Sequence, residues 1–378
     1  MTSSKKLIWI DGYEANVEQR LGSGQVAFEL LKHLEQIDHL NDYLILLPSS
    51  PLSDLPKERE GWKYKILKFN KLWTRVALPL EIFRAKIKPD LFFSPTHYIP
   101  TLTNVKRVVM VFDTGFLHFP ETLTAKDLWK LKNWTKYSIR NAQHIVTISE
   151  SAKRDILKNY QVSSEKVTVA YPGHSDKYIE IKDEAKIKEI SSKYKLDKNY
   201  VLFIGTIQPR KNLSRLIEAF KTIEGVQLAI SGKTTGPGKQ GWKFKEILDK
   251  PRRLGIETKI KFLGFVPDED LVYLLNGAKA FVFPSLWEGF GIPVVDAMSV
   301  GKPVIVSTAG SLPEIVGEAG ILVDPLNIEE IRNAIVRVCE DAGLRDELSI
   351  KALEQAKIFS WKKMAEQVLE VFKEASNE

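Results

Sequence analysis

Short β-branched runs alternate with helical patterns from one end of this 378-residue chain to the other, and few folds accommodate that. In the first half the runs read as strands over residues 7–11, 43–47, 65–69, 91–94, 107–112, 144–149 and 167–170. The second half restarts at 200–205 and continues through 226–231, 259–265, 280–284, 303–307 and 320–323. Strands separated by helices on this scale build parallel sheets with right-handed crossovers. The chain is too long for one typical core, so two domains are expected. Residues 177–198, charged and poor in apolar side chains, read as a linker merging into a surface helix. The expected class is therefore α/β, with two doubly wound domains facing across a cleft.

Composition narrows the setting. A hydrophobic content of 44% with 27% charged residues describes a folded protein rather than a disordered one. The single cysteine, Cys339, allows no intrachain disulfide, falls on the apolar stripe of a helix over 328–340, and fits a reducing compartment. Met1 to Lys6 lead straight into a strand-length run, which predicts no signal peptide. No apolar stretch approaches the roughly 20 residues that cross a bilayer. A cytoplasmic protein, peripheral at most to the inner face of the membrane, is expected. The net charge of +7 suits nucleotide diphosphates or anionic lipid, and nucleic acid is not expected as a partner.

The most informative stretch runs from Pro284 through Ser285, Leu286, Trp287, Glu288, Gly289, Phe290, Gly291 and Ile292 to Asp296. It follows the apolar run 280–284 and precedes a helix that Pro293 opens and Gly301 and Pro303 close. Glu288, Gly289 and Gly291 thus occupy a loop between a strand's C-terminal end and a helix start, where open α/β sheets bind ligands. Backbone N–H groups at such a helix start favour phosphate, and loop glycines let the backbone approach it. A carboxylate beside an anion site fits if it accepts hydrogen bonds from sugar hydroxyls. Together these features describe a nucleotide-sugar site.

Glu288 and Asp296, eight apart, resemble the Glu-x7-Glu signature of the family 4 retaining glycosyltransferases, with Asp at the second position. Residues Gly301 to Ser307 and Gly310 to Val316 are similar to the same family. Within that family the chain resembles bacterial mannosyl- and rhamnosyl-type transferases of surface polysaccharide synthesis. It implies the GT-B fold: Rossmann-like domains over 1–176 (acceptor side) and 177–358 (nucleotide-sugar side), with a helix in 359–378 crossing back to the first. It also implies that Asp296 holds ribose hydroxyls, while Glu288 with the Phe290 and Gly291 backbone holds sugar hydroxyls. Gly205, Gly232, Val266, Gly289 and Ile292 join the expected donor-binding positions.

A second block, Phe203 to Leu213, contains Gly205-Thr206-Ile207-Gln208-Pro209-Arg210-Lys211-Asn212. Two adjacent cations at a helix start oppose the macrodipole unless an anion is present. Arg offers a planar fork and Lys a point charge, together matching a diphosphate. The resemblance gives Arg210 and Lys211 the same task, neutralising the leaving diphosphate. Read as a surface helix start, position 211 should tolerate alanine without loss of stability. A third element, Gly22-Ser23-Gly24-Gln25-Val26-Ala27, matches G-x-G-x-x-G/A and raises a nicotinamide dehydrogenase. About ten residues separate it from its strand, and no acid follows at the ribose position, so a loop approaching the donor phosphate fits better.

The fourth element is Phe112-Asp113, where relatives usually place His-Asp with the imidazole against the transferred sugar. Asp113 remains among the expected catalytic residues, with Arg210, Lys211 and Glu288. Phe112 predicts an apolar wall suited to a donor lacking the 6-hydroxyl, with GDP-mannose as the alternative; His118, read as a loop residue, is a candidate to compensate. Ser149 caps a helix and, by resemblance, lies on the cleft. His97, in Ser94-Pro95-Thr96-His97-Tyr98, reads as a loop residue.

No Cys/His zinc spacing occurs, and the triplet Asp268-Glu269-Asp270 opens a helix, where acids are stabilised without a metal. No metal or other cofactor is expected. Basic residues interleave with Trp62, Trp73 and Phe83 over 57–88, and with Trp129 and Trp134 over 125–140. Such faces suit an anionic membrane surface, or are solvated helix faces with aromatics in the core. The resulting expectation is a retaining, metal-independent transferase moving a hexosyl or deoxyhexosyl group from a nucleotide-diphosphate sugar to a glycan or lipid-linked acceptor. The alternatives are an epimerase or phosphorylase on the same fold, or an inactive module acting in assembly.

Overall fold

The computed structural model describes residues 5–20, 22–233 and 244–377. Met1 to Ser4, used above, and Leu21, directly before the Gly22 motif, lie outside the described residues. The chain forms two compact units. One comprises residues 1–118, 125–173 and 360–378, the other 119–124 and 174–359.

The first unit holds a seven-stranded sheet built from β1 (Leu7–Asp11), β2 (Asp42–Leu47), β3 (Trp62–Ile66), β4 (Leu91–Ser94), β5 (Lys106–Met110), β6 (His144–Thr147) and β7 (Val167–Val169). Its order is β3-β2-β1-β4-β5-β6-β7, every pair parallel. The second unit holds β8 (Tyr200–Ile204), β9 (Gln227–Ser231), β10 (Ile260–Gly264), β11 (Ala280–Phe283), β12 (Val304–Ser307) and β13 (Gly320–Val323). They run parallel in the order β10-β9-β8-β11-β12-β13. Central strands covered by helices on both faces must be apolar throughout. Accordingly Phe92, Phe93, Val108, Val109, Val201, Leu202, Phe203, Phe281, Val282 and Phe283 are all fully buried.

Both sheets reverse direction of growth once, between β1 and β4 and between β8 and β11. At such a point the loops leaving neighbouring strands turn to opposite faces and open a crevice at the strands' C-terminal ends. That geometry fixes where each unit can bind a ligand.

Three sequence expectations shift. The strand expected over 65–69 is β3, three residues earlier, because Trp62 fills the core while Lys63 and Lys65 project from a basic sheet edge. Trp62 is therefore core, not part of an interfacial face. Trp73 is half-buried and donates its indole N–H to Asp11 Oδ1 at 2.8 Å. Trp134 lies under Arg75 (4.4 Å to the ring centre) and Lys130 (4.9 Å). Phe83 and Trp129 remain exposed.

The last helix, Trp361–Asn377, belongs to the first unit. It packs on the helix Ser23–Ile37 and on β4, β5 and β6, with Phe372 edge-on to Phe93 at 5.0 Å. Lys106 Nζ donates to the Ser376 carbonyl at 2.9 Å, placing a cation at that helix's C-terminal end.

Candidate functional site

In the second unit the reversal point brings together the loops after β8 and β11. The chain leaves β8 through Gly205, whose carbonyl passes so close to Gly232 that a Cβ there would lie 1.8 Å from it. Position 232 therefore excludes any side chain, which explains a glycine directly after β9. Pro209–Lys211 forms a single 3-10 turn, and Asn212 adopts a left-handed conformation (φ 60°) before the helix Leu213–Ala219 begins. Asn212 Nδ2 donates to the carbonyls of Pro284 (2.9 Å) and Pro325 (2.6 Å), tying the turn to the end of β11. Backbone continues the tie, Leu286 N–H donating to the Arg210 carbonyl at 2.8 Å.

These links deliver Arg210 and Lys211 to Glu288. Lys211 Nζ lies 2.7 Å from Glu288 Oε1, and Arg210 Nη1 lies 3.1 Å from Oε2. Arg210 Nη1 also donates to the Trp287 carbonyl, and Lys211 Nζ sits 4.5 Å over the Phe283 ring. Glu288 and Lys211 are both buried. Burial alone would raise the Glu288 pKa, but the charges of Arg210 and Lys211 and the Lys211 hydrogen bond hold it at about 2.

This arrangement corrects three sequence expectations. The cations do not begin a helix: the turn and Asn212 precede it. Their counter-charge is also supplied from within the chain, by Glu288. Position 211 is no surface site either, so alanine there uncovers a buried carboxylate.

The Glu288 loop is fixed from its far side. Ser311 Oγ donates to the carbonyls of Glu288 (3.1 Å) and Phe290 (2.8 Å), and Ser311 N–H donates to the Glu288 carbonyl. Gly310 (φ 65°) passes so close that a Cβ would lie 2.4 Å from that same carbonyl. Gly289, Phe290 and Gly291 follow, Gly291 (φ 113°) capping the helix Ile292–Ser299, and Phe290 is buried against Phe359. Val266 is buried just beyond β10.

Asp296 lies in the second turn of that helix, buried, with Oδ1 accepting the Ser175 N–H at 3.1 Å. Burial raises its pKa to about 7, the Ser175 hydrogen bond opposing this and Asp268 adding to it. One segment therefore carries a carboxylate locked in its charged form and a second poised near neutrality.

In the first unit, Gly22 (φ 54°) caps the helix Ser23–Ile37 and Gly24 lies in its first turn, following β1 on one side of that sheet's reversal point. Phe112 and Asp113 follow β5. Asp113 Oδ1 accepts the Gly115 N–H at 2.7 Å, capping the short helix Gly115–His118. His118 thus ends a helix instead of lying in a loop, and its Nε2 pairs with Asp155 Oδ2 at 2.7 Å. Thr114 Oγ1 donates to the same oxygen.

The imidazole beside Phe112 is that of His97, with ring centres 5.6 Å apart. His97 Nε2 accepts the Phe112 N–H at 3.3 Å, which assigns the ring proton to Nδ1. Burial lowers the His97 pKa, Asp113 opposing it, so the ring is neutral. His97 does lie in the loop after β4, and its contact joins that loop to the end of β5, fifteen residues away, which local sequence does not show. Ser149 caps the helix Glu150–Tyr160, accepting the Ala152 N–H at 3.0 Å. Among the described residues no group of three His, Cys, Asp or Glu side chains could hold a metal ion.

Two family models match the chain: Glycosyl transferases group 1 over residues 184–355 and Glycosyltransferase Family 4 over residues 22–177. The O-antigen chain mannosyltransferase B of Escherichia coli is 28% identical over 368 residues, covering 93% of this chain and 96% of the relative. Among solved structures, sucrose-phosphate synthase from Thermosynechococcus elongatus superposes with a TM-score of 0.78 at 18% identity, covering 98% of this chain and 99% of the other. Anabaena HepE in complex with UDP and glucose gives 0.74 at 20% identity, covering 97% and 99%. The shared fold is GT-B.

Breaking a buried ion pair from one side costs more than removing both charges. Lys211→Ala should lower the unfolding free energy by about 3 kcal/mol, the low end for a buried pair because Arg210 still faces Glu288. Adding Glu288→Gln should recover most of that loss. Denaturant titration of the single and double variants checks this; a double variant less stable than Lys211→Ala alone would contradict it.

Proposed function

The chain belongs to the group 1, family 4 glycosyltransferases, and we propose that it transfers a mannosyl group from a nucleotide-diphosphate mannose to a growing surface polysaccharide. The observation that carries the reading is the Lys211–Glu288–Arg210 cluster at the second sheet's reversal point. The mannosyl assignment draws on the end-to-end similarity to an O-antigen chain mannosyltransferase.

A departing diphosphate develops negative charge, and cations already fixed in place stabilise it without reorganising. Arg210 and Lys211 are fixed by Glu288 before any donor arrives. A carboxylate has about four acceptor sites, so Glu288 can hold both cations and still accept sugar hydroxyls. Asp296 accepts ribose hydroxyls, and the backbone after Glu288 completes the donor site. Retention of configuration and independence from metal are part of the proposal. So is a front-face displacement in which the leaving phosphate takes the acceptor's proton. The tight links around Glu288 argue against an inactive assembly module.

Phe112 is buried against His97 and offers little apolar wall to a ligand, which favours mannose over a 6-deoxy sugar. Exposed Phe83 (81%) and Ile87 (75%), beside Arg84, Lys86 and Lys88, support docking of the first unit on an anionic membrane that presents a lipid-linked acceptor. Among the described residues no helix is long and apolar enough to cross a membrane.

A donor panel with a lipid-linked acceptor in anionic vesicles tests the reading. GDP-mannose should outperform its 6-deoxy counterpart, and Lys211→Ala should cut turnover by about a hundredfold or more. Preference for the 6-deoxy donor would overturn the sugar assignment, and near-normal turnover in the variant would overturn the phosphate site.

Asp296 gives a pH signature. A ribose hydroxyl donates best to the ionised carboxylate, so binding lowers a pKa that burial has raised to about 7. Affinity for bare nucleoside diphosphate should therefore rise as pH rises through about 7. Asp296→Asn should bind more weakly and lose this part of the dependence, whereas an unchanged calorimetric profile would remove Asp296 from the ribose site. Folding responds with the opposite sign: the raised pKa favours the native state below the unfolded value of 3.8, and that contribution fades as pH rises through about 7.

A further inference from the structure

The opposite end of the second sheet's strands carries a basic cavity of about 950 Å³. It lies where the chain enters β8, β11 and β12, bounded by the helices Glu184–Lys193 and Ala342–Ala356 and by the end of Asp268–Gly277. The Arg210–Glu288 cluster follows the other ends of β8 and β11, roughly 13–17 Å away along strands of this length. Six basic side chains line the cavity against three carboxylates, Glu184, Asp197 and Asp346.

Three of the cations come from separate elements. Lys302 follows the helix Ile292–Ser299, Lys279 directly precedes β11, and Arg345 lies in the first turn of the helix Ala342–Ala356. Lys302 Nζ donates to the Asn276 carbonyl at 2.7 Å, at one helix's C-terminal end. Arg345 Nη1 donates to the carbonyls of Val338 (2.9 Å) and Cys339 (2.8 Å), at another. Capping of helix ends accounts for these bonds. It does not account for the grouping, or for Lys279, which makes no such bond among the described residues.

None of the three forms an ion pair with a described carboxylate, although three carboxylates border the same space. Burial, then the charges of Lys279 and Arg345, push the Lys302 pKa down to about 8, with Glu180 opposing them. Three cations grouped in a partly desolvated space, none bonded to a described carboxylate, favour a further anion.

We infer that this cavity is a second ligand site, distinct from the donor site, for a soluble phosphate-bearing small molecule held by Lys279, Lys302 and Arg345. Its volume lies within the range of small-molecule pockets. The ammonium groups act as point charges, and Arg345 Nε and Nη2, outside its capping bonds, present a guanidinium edge that suits a phosphate.

Calorimetric titration of inorganic pyrophosphate into the full chain tests this. Lys279→Glu leaves both capping bonds intact and adds an anion, so it should fold normally and lose one equivalent of bound pyrophosphate, or weaken it by roughly tenfold or more. Lys302→Met gives up the bond to the Asn276 carbonyl and should weaken pyrophosphate binding likewise, and both variants should keep mannosyl transfer. The donor site is read separately through Lys211→Ala, so failure of one site is distinguishable from failure of the other. Wild-type stoichiometry and affinity in both cavity variants, or a wild-type protein that takes up no pyrophosphate sensitive to them, would overturn the inference.

Discussion

The buried Glu288 carboxylate, gripped by Lys211 at 2.7 Å and Arg210 at 3.1 Å, joins the two loops that leave β8 and β11 where the second sheet reverses. The surrounding features serve that junction. Asn212 takes a left-handed conformation to reach two carbonyls, Gly310 lets the backbone pass against Glu288, and Ser311 holds the same loop from the other side. Two cations next to each other in sequence would repel, and a buried acid alone would protonate. Held together, each makes the other's burial tolerable.

The same segment separates the behaviour of two acids. Glu288 meets two cations and stays ionised far below neutrality, whereas Asp296 meets one backbone N–H and rises to about 7. Neighbouring groups pushed in opposite directions divide the work of a site. In the proposed reaction Glu288 is a permanent charge that positions cations and sugar, while Asp296 takes its charged form as the nucleotide binds. The Glu288 contribution to stability is complete above the unfolded pKa of 4.5 and is lost as pH falls through about 2.

Much of the architecture was legible in the sequence because doubly buried strands leave continuous apolar runs, and β8 and β11 read directly. β3 was misplaced because an edge strand buries few side chains, and Ile66, Leu67 and Phe69 imitate the signal. The site residues were legible as types at strand ends, but their pairing was not. Glu288 and Lys211 are 77 residues apart, and a local reading of Arg210-Lys211 sees two unbalanced cations at a helix start. Asn212 and Ser311 show no role in the sequence, since their work is to bridge loops. The role of His97 is hidden for the same reason. Its contact with Phe112 exists only once β4 and β5 are side by side.

Glu288 is an ionised, internally paired carboxylate before any donor binds. Titrating the side-chain carboxyl of Glu288 by carbon-13 NMR in the ligand-free protein, with Glu288→Gln for assignment, measures that directly. The resonance is expected to stay in its ionised position from neutrality down to acid unfolding, consistent with a pKa of about 2. A resonance that titrates near the ordinary value of 4.5 while the protein remains folded would contradict it.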